Sequence, residues 1–390
     1  MKKICVITSA RADYGLLKPL IQKIQQTPFF LCEIVATGMH LDPAFGLTYQ
    51  EIEADGIMIA AKIEIDSGSD SRNAMSKTMA LALGRFADYF ADNRPDLLVV
   101  LGDRFEIEAI CCAAVNERIP IAHLYGGETT EGAVDECYRH AISKMSYLHF
   151  VSCEPYRKRV IQLGEEPERV FNVGSLGVEN VLNSPLLTLE ELEQSLGFSL
   201  QDKPYGVVTF HPVTLENDTG ADQLRELITA LRYFKDMRFI ITKSNSDAGG
   251  RELNFVWDEC AKGEENWCIV TSLGMQKYLS ALRYAAMMVG NSSSGIVEGP
   301  AWKIPTVNIG DRQKGRIKVT SIIDCRPASR EIIKAMEKAL TPEYIYLVQA
   351  SNNPYGEGNT SELIVAQLEK ILSQEEINLK KAFYDIEVKD

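Results

Sequence analysis

Short runs of consecutive apolar residues recur along the chain, separated by longer stretches whose apolar positions fall three or four residues apart. Continuous apolar runs predict strands buried on both faces, and the three-to-four spacing predicts the helices that cover them. Strands are expected at residues 4–8, 34–37, 97–101, 119–124 and 148–151, and helices at 16–24, 80–90, 105–115 and 136–145. This alternation is typical of a parallel sheet with helices on both sides.

The alternation pauses near the middle of the chain and then starts again. Residues 184–204 hold two prolines and a polar helical stretch, which indicates a boundary between domains. Further strands are expected at residues 205–210, 239–242, 269–270, 287–289 and 306–309, with a helix at 224–234. The pattern predicts an α/β protein of two Rossmann-like domains, residues 1–183 and 184–372, whose parallel sheets face each other across a cleft. A last helix, within 373–390, is expected to pack back on the first domain.

Length and charge narrow the classes of function. The 390 residues are enough for two domains, and the net charge of −13 argues against nucleic acid and anionic membranes as partners. Nine cysteines without a C-x-x-C pair predict reduced thiols rather than a zinc site or a disulfide framework. No apolar run is long enough to cross a bilayer, and no signal-peptide pattern opens the sequence. We therefore expect a cytoplasmic protein.

Ionisable residues follow several strands of the first half. Because parallel strands end on one edge of a sheet, where ligands of such sheets bind, these residues are expected to lie together. The set comprises His40, Asp103, Glu128, Asp135 and Arg139. Converging carboxylates favour acid–base chemistry, although an ordinary ion pair between Asp135 and Arg139, four residues apart on one helix, accounts for those two as well. His123 and His149 lie inside strands and are expected to be core histidines.

A run of small residues, Gly290-Asn291-Ser292-Ser293-Ser294-Gly295, lies between a predicted strand and a helix that starts near Ile296. Backbone N–H groups at a helix start suit a diphosphate, but a serine-rich helix cap has the same composition, and the run alone favours neither. Glu298, one turn on, suits either two ribose hydroxyls or the helix cap. His211 follows a strand, and Arg11 and Arg312 are of the type that binds phosphates. NAD and ATP are disfavoured, since neither a G-x-G-x-x-G after the first strand nor a Walker-type motif is present.

These segments together resemble the UDP-N-acetylglucosamine 2-epimerase family, most closely the hydrolysing branch that feeds bacterial sialic acid and capsule synthesis. The matching segments span nearly the whole chain in order: TSARADYG (8–15), TGMH (37–40), GDR (102–104), GGE (126–128), RHAISK (139–144), FHP (210–212), GNSSSG (290–295) and GDRQ (310–313). The resemblance implies two Rossmann-like domains of the GT-B type with the active site between them. It also implies a homo-oligomer, dimer or tetramer, that needs no cofactor and no metal.

The resemblance also implies roles for single residues. UDP would be held by Arg11, Arg104, Asn245, Ser292, Ser293, Glu298 and Arg312, and the catalytic set around the sugar would be His40, Asp103, Glu128, Asp135, Arg139 and His211. One position departs from the family pattern, since many hydrolysing members carry a catalytic Glu just before the two glycines at 126–127, where this chain has Tyr125. Either Glu128 takes over that role or this branch divides the acid–base work differently.

The substrate of such a family dictates the chemistry. The C2 proton of UDP-N-acetylglucosamine is not acidic because C1 is not a carbonyl, and no nicotinamide motif supports transient oxidation, so elimination of UDP is favoured. A glycal forms, water adds at C1, and a proton returns to the other face of C2, which gives N-acetylmannosamine. Three other interpretations stay open: the same reaction on a UDP-2,4-diacetamido-2,4,6-trideoxy sugar, a UDP-sugar glycosyltransferase on the same fold, and a non-catalytic UDP-sugar sensor.

Overall fold

The computed structural model describes residues 1–65, 72–131, 134–212, 220–244, 250–374 and 377–387, and the chain divides into two compact α/β units. The first unit comprises Met1–Glu128, Val134–Asn180 and Pro354–Asp390, and the second comprises Thr129–Ala133 and Val181–Asn353. The chain thus leaves the first unit at Asn180, close to the predicted boundary after residue 183. It returns to that unit at Pro354, well before the predicted residue 373.

In the described residues, parallel strands form the sheet of the first unit: β1 (Lys2–Thr8), β2 (Phe30–Thr37), β3 (Ile59–Ile63), β4 (Leu97–Leu101), β5 (Ile121–Leu124), β6 (Leu148–Val151) and β7 (Val170–Asn172). Their order is β3-β2-β1-β4-β5-β6-β7, so the winding direction reverses between β1 and β4. The helices of this unit are α1 (Arg11–Gln26), α2 (Tyr49–Ala54), α3 (Arg72–Asp92), α4 (Phe105–Asn116), α5 (Asp135–Met145), α6 (Glu154–Gln162), α7 (Leu176–Asn183, which ends in the second unit) and the last helix, α15 (Thr360–Leu372).

Helices bury both faces of this sheet. All five residues of β4 are buried. Its Leu97 and Val99 pack in one cluster with α1 and α15, whereas Leu98 and Val100 pack in another with α3 and α4. Each such side chain stabilises the fold by about 1.5–3 kcal/mol, so the sheet is a firm support for the loops at its edge. The outer strands β3 and β7 are only partly buried, which is why continuous apolar runs do not predict them.

The second unit repeats this architecture. Its described strands are β8 (Tyr205–Thr209), β9 (Arg238–Thr242), β10 (Trp267–Val270), β11 (Met287–Gly290), β12 (Thr306–Ile309) and β13 (Ile322–Cys325), all parallel and in the order β10-β9-β8-β11-β12-β13. Its helices are α8 (Leu189–Leu196), α9 (Gly220–Tyr233), α10 (Gly250–Cys260), α11 (Gly274–Tyr284), α12 (Ser294–Ala301), α13 (Ser329–Ala339) and α14 (Pro342–Ala350). The predicted fold class, two parallel-sheet α/β domains of the Rossmann type, is confirmed.

The helix predicted within 373–390 is not found in the described residues. The last helix, α15, already ends at Leu372, and residues 377–387 form neither helix nor strand. Lys381 holds this segment instead, because its Nζ donates to Glu165 Oε2 (2.8 Å) and to the Ser146 carbonyl (2.7 Å). Ile377, at the start of this segment, also packs against the core of the first unit. Within the described ranges, no helix is long and apolar enough to cross a membrane.

Candidate active site

Loops that follow four strands come together at one edge of the first sheet, around the reversal between β1 and β4. Thr8 Oγ1 lies 2.9 Å from His40 Nε2, which joins the ends of β1 and β2. Arg139 contacts Asp103, which follows β4, and donates to the carbonyl of Glu128, which follows β5 (3.0 Å). The structure therefore gathers these four predicted residues at the edge where ligands of parallel sheets bind.

Arg139 is the central cation of this edge. Its side chain is 2% exposed, and the guanidinium donates to Asp103, to Glu136 Oε2 (2.5 Å) and to the Glu128 carbonyl. A buried charge is stable only with such partners. Arg139 thus pairs with Asp103 and Glu136, and it ties together the two loops that carry the candidate carboxylates.

Asp135 is the first residue of α5 and lies at the exposed rim of the same edge. Partial burial of its carboxyl group raises its pKa, and the neighbouring Asp103 carboxylate raises it further. A carboxyl group whose pKa is raised beside an ion-paired carboxylate is well suited to exchange a proton with a ligand.

The loop between β5 and α5 has a strained start. Tyr125 has a φ of 67°, in the left-handed region, and Gly127 has a φ of 77°. A Cβ on Gly127 would lie 2.4 Å from the Tyr156 carbonyl, so only glycine fits there. The Tyr125 hydroxyl lies 2.9 Å from Ser175 Oγ and accepts from Gly177 N (3.1 Å) at the start of α7.

Tyr125 is therefore engaged in holding α7. Of the two glutamates in this loop, exposed Glu131 pairs with Lys314 (3.2 Å), whereas Glu128 is buried. The Glu128 side chain is buried, and its Oε1 accepts a hydrogen bond from Ser152 Oγ (3.0 Å), after β6. This arrangement fixes the position of the Glu128 carboxylate from two sides, through its side chain and through its carbonyl.

His40 is fully buried, with Nε2 next to Thr8 Oγ1 and Nδ1 2.8 Å from Thr48 Oγ1. Burial lowers its pKa to about 4, so the ring is neutral at physiological pH. His40 therefore holds the ends of β1 and β2 in place. The prediction for the two strand histidines is confirmed, because His123 and His149 are fully buried and hydrogen-bonded, to Ser143 and Glu165 respectively.

Asp13 is a residue of this edge that the sequence analysis did not single out. Ser9 Oγ donates to Asp13 Oδ2 (2.9 Å), and burial raises the pKa of Asp13 to about 6, against the opposing effect of the Arg104 guanidinium. Its position shortly after β1, at the strand end where ligands bind, is the feature of the sequence that points to it. Arg11, by contrast, is half exposed, and among the described residues its ion pair is with exposed Glu51 (3.4 Å), a contact of small energy.

In the second unit, Asn291 joins three loops at the edge where β8 and β11 end. Its Oδ1 accepts from His211 N (2.7 Å), and its Nδ2 donates to the His211 carbonyl (2.8 Å). The Asn291 carbonyl accepts from Arg312 Nη1 (3.2 Å) and Gln313 Nε2 (3.0 Å). Gly290 makes this approach possible, since a Cβ there would lie 1.9 Å from the Thr209 carbonyl. Two predicted site residues, His211 and Arg312, therefore both hydrogen-bond to Asn291.

The serine run forms the start of α12, which begins at Ser294 rather than near Ile296. Ser292 Oγ accepts from Ser294 N (3.3 Å), whereas Ser293 is exposed and its side chain makes no capping hydrogen bond. Glu298 is partly buried one turn further on. The N–H groups of Ser294, Gly295 and Ile296 thus have acceptors inside this turn, the last two being bonded to the carbonyls of Ser292 (3.2 Å) and Ser293 (2.9 Å). Asn245 lies outside the described residues, but the loop before it is held by Asn254, whose amide makes two hydrogen bonds to Ser244.

The fold and the strand-end groups define a nucleotide-binding enzyme class: two Rossmann-like units, one with an edge rich in carboxylates and one with a small-residue turn at a helix start. The chain belongs to the UDP-N-acetylglucosamine 2-epimerase family, whose model matches residues 22–369. The resemblance read from the sequence segments is thereby confirmed.

Three known proteins illustrate this similarity. The chain is 42% identical over 344 residues to the GDP/UDP-N,N'-diacetylbacillosamine 2-epimerase (hydrolyzing) of Campylobacter jejuni, with 88% of each chain covered. It is 39% identical to polysialic acid biosynthesis protein P7 of Escherichia coli, covering 99% of this chain and 98% of that protein. The solved structure of Methanocaldococcus jannaschii UDP-GlcNAc 2-epimerase in complex with UDP-GlcNAc and UDP superposes with a TM-score of 0.76, at 19% identity, over 94% and 99% of the two chains. The structural likeness confirms a fold shared with these GT-B-like enzymes.

Proposed function

We propose that the protein is a hydrolysing 2-epimerase that converts UDP-N-acetylglucosamine and water into UDP and N-acetylmannosamine. The observation that carries this proposal is the set of carboxyl groups around Arg139, at one sheet edge of a chain of this epimerase family. The names of two relatives support it, since one is a hydrolysing epimerase and the other serves polysialic acid biosynthesis.

In the proposed mechanism, groups of the first unit act on the sugar. As the bond between C1 and UDP breaks, positive charge develops on the ring, and Asp103, which pairs with Arg139, stabilises it. Asp135, whose pKa is raised, accepts the C2 proton, so that a glycal and UDP result. Water then adds at C1, while the Glu128 carboxyl group delivers a proton to the opposite face of C2. Glu128 recovers the proton that this water releases, and Asp135 gives the C2 proton to solvent. Neutral His40 keeps the strand ends in register and takes no proton.

Groups of the second unit bind UDP in this proposal. The hydroxyls of Ser292 and Ser293, at the start of α12, donate to the diphosphate, which the helix dipole also favours. Arg312 neutralises part of its charge, and Glu298 accepts from the ribose hydroxyls. His211, whose peptide group Asn291 holds, donates to the leaving phosphate oxygen. The roles of Arg11 and Asn245 in UDP binding stay predictions.

Product analysis tests the proposal directly. Purified protein and UDP-N-acetylglucosamine, without any acceptor sugar or added reductant, should yield UDP and free N-acetylmannosamine in equal amounts by proton NMR. Asp103→Asn protein serves as the control for contaminating hydrolases. Transfer that requires an acceptor would instead favour the glycosyltransferase interpretation, and UDP binding without any product would favour the sensor.

A second candidate substrate is the UDP-2,4-diacetamido-2,4,6-trideoxy sugar. The observation in its favour is the 42% identity to the Campylobacter diacetylbacillosamine epimerase. A parallel NMR time course with each sugar nucleotide separates the two, because the true substrate should have the higher kcat/KM. The cytoplasmic location and the homo-oligomeric state, dimer or tetramer, stay predictions from the sequence.

A further inference from the structure

Glu106 is a carboxylate buried beneath the edge that carries the candidate catalytic residues. It lies in the first turn of α4, and only 1% of it is exposed. Its Oε1 accepts a hydrogen bond from Nε of Arg104, and among the described residues its Oε2 has no hydrogen-bond partner. A buried carboxylate is costly unless an opposite charge compensates it, so Glu106 and Arg104 depend on each other at this place.

Arg104 extends from this buried partner towards the rim of the edge, where 34% of its side chain is exposed. In the part of the chain that the structure describes, its hydrogen bonding is confined to the Nε contact with Glu106, which leaves Nη1 and Nη2 available. An arginine held through Nε presents its two terminal nitrogens as a fork, the arrangement that binds a phosphate with two hydrogen bonds. Asp13 and Asp135 lie close enough to act on it electrostatically.

We propose that Glu106 is a positioning residue, which orients Arg104 so that its terminal nitrogens bind the diphosphate of the sugar nucleotide. The identity of that anion rests on the proposed function, whereas the ion pair itself does not. Without Glu106, the Arg104 side chain would be ordered only when the ligand binds, and that ordering weakens affinity. Glu106 therefore acts through Arg104 and touches no substrate.

A merely structural role for Glu106 is the competing explanation. Acidic residues in the first turn stabilise a helix through its dipole, and both Glu106 and Glu108 stand in the first turn of α4. Glu108 Oε1 accepts instead from Cys112 Sγ (3.5 Å). Glu108→Gln is thus a matched control, because it removes the same charge from the same helical turn but does not disturb the Arg104 contact.

A double-mutant cycle on UDP affinity, measured by calorimetry, distinguishes the two roles. Glu106→Gln should weaken UDP binding by about 10-fold, as expected when a charged hydrogen-bond network loses one member. Arg104→Gln should weaken it at least as much, and adding Glu106→Gln to Arg104→Gln should change the affinity by less than about twofold. Glu108→Gln should bind UDP like the parent. During turnover, Glu106→Gln should raise KM while kcat stays nearly constant.

Unchanged UDP affinity in Glu106→Gln would overturn the inference. It would also be overturned if Glu106→Gln weakened UDP binding as much in the Arg104→Gln protein as in the parent. If Glu106→Gln folds poorly by thermal unfolding, Glu106→Asp provides the second test. It keeps the charge but shortens the side chain, and should bind UDP with an affinity between those of the parent and Arg104→Gln. Because calorimetry with UDP needs no turnover, a chain that fails to release N-acetylmannosamine would contradict the proposed function and leave this test intact.

Discussion

At the scale of single residues, three carboxyl groups at one sheet edge have different surroundings and suit different steps. Asp103 is held against the buried guanidinium of Arg139, and Glu128 is fixed by Ser152. Asp135 lies at the rim, where partial burial and the Asp103 carboxylate raise its pKa. A carboxylate in an ion pair, beside a second carboxyl group whose pKa is raised, is the arrangement expected of acid–base catalysis.

Replacing the two aspartates tests this division of work. Asp103→Asn and Asp135→Asn should each lower kcat by roughly 10²–10⁴-fold, the usual contribution of a positioned charge or base, with little change in UDP affinity. Glu128→Gln should show a loss of similar size if Glu128 replaces the glutamate expected at position 125. Steady-state kinetics and calorimetry measure the two quantities separately. Parent-like turnover in Glu128→Gln would mean that another residue returns the proton to C2.

Asp13 should make the stability of the protein depend on pH. Burial raises its pKa to about 6, above the ordinary value of 3.8. Between these two pH values Asp13 is ionised in the unfolded chain but still protonated in the folded protein. The contribution of Asp13 to stability should therefore fall by on the order of 2 kcal/mol as pH rises from about 4 to about 7, whereas buried His40 has the opposite effect. Asp13→Asn should remove the Asp13 contribution from the pH dependence. Urea unfolding of both proteins at the two pH values measures it. Equal pH dependence in parent and variant would contradict the assignment.

At the scale of elements, the second sheet holds its strand-end loops with asparagine side chains. Asn291 makes two hydrogen bonds to the peptide groups of His211, and Asn254 makes two to Ser244 in the same manner. Asn291 lies 80 residues along the chain from His211, and Asn254 lies on α10, a different element from the loop that holds Ser244. Paired hydrogen bonds of this kind order a loop before a ligand arrives, which strengthens binding.

Asn291→Ala should consequently weaken UDP binding by about 10-fold, because two buried hydrogen bonds to the His211 loop are lost. Asn308→Ala is the matched control: it removes a partly buried hydrogen bond from β12 to Asp324 in the same sheet, without touching that loop. Both variants should unfold at lower temperature than the parent. If both lost UDP affinity equally, general destabilisation of the sheet and not the Asn291 contact would account for the effect.

The elements also show what the sequence can and cannot predict. The predicted bounds of β4, β6 and β12 coincide with those found, because these strands are buried throughout. β4 is wholly apolar, and β6 and β12 hold polar residues, such as His149 and Asn308, among apolar ones. Partly buried β3, β7 and β13 lack that pattern. The strand-end residues could be predicted because parallel strands end on one edge. The partners of Asn291 and Lys381 could not, since they depend on which loops and segments meet in space.

At the scale of the whole molecule, each unit has its own cluster of polar residues at its strand ends. In the first unit these are carboxylates and Arg139, and in the second they are the Asn291 turn, His211 and Arg312. No step assigned to these groups requires oxidation of the sugar. The central claim is therefore that epimerisation proceeds by elimination of UDP and hydration of a glycal. This claim concerns one hydrogen atom, the one on C2.

The most direct measurement is the reaction run in heavy water, with the product examined by NMR. Elimination removes the C2 hydrogen, and the proton returned to C2 comes from a carboxyl group that exchanges with solvent, so N-acetylmannosamine should carry deuterium at C2. Unreacted UDP-N-acetylglucosamine recovered from the same mixture is the internal reference. Product that keeps the original hydrogen at C2 would contradict the elimination mechanism and with it the roles proposed for Asp135 and Glu128.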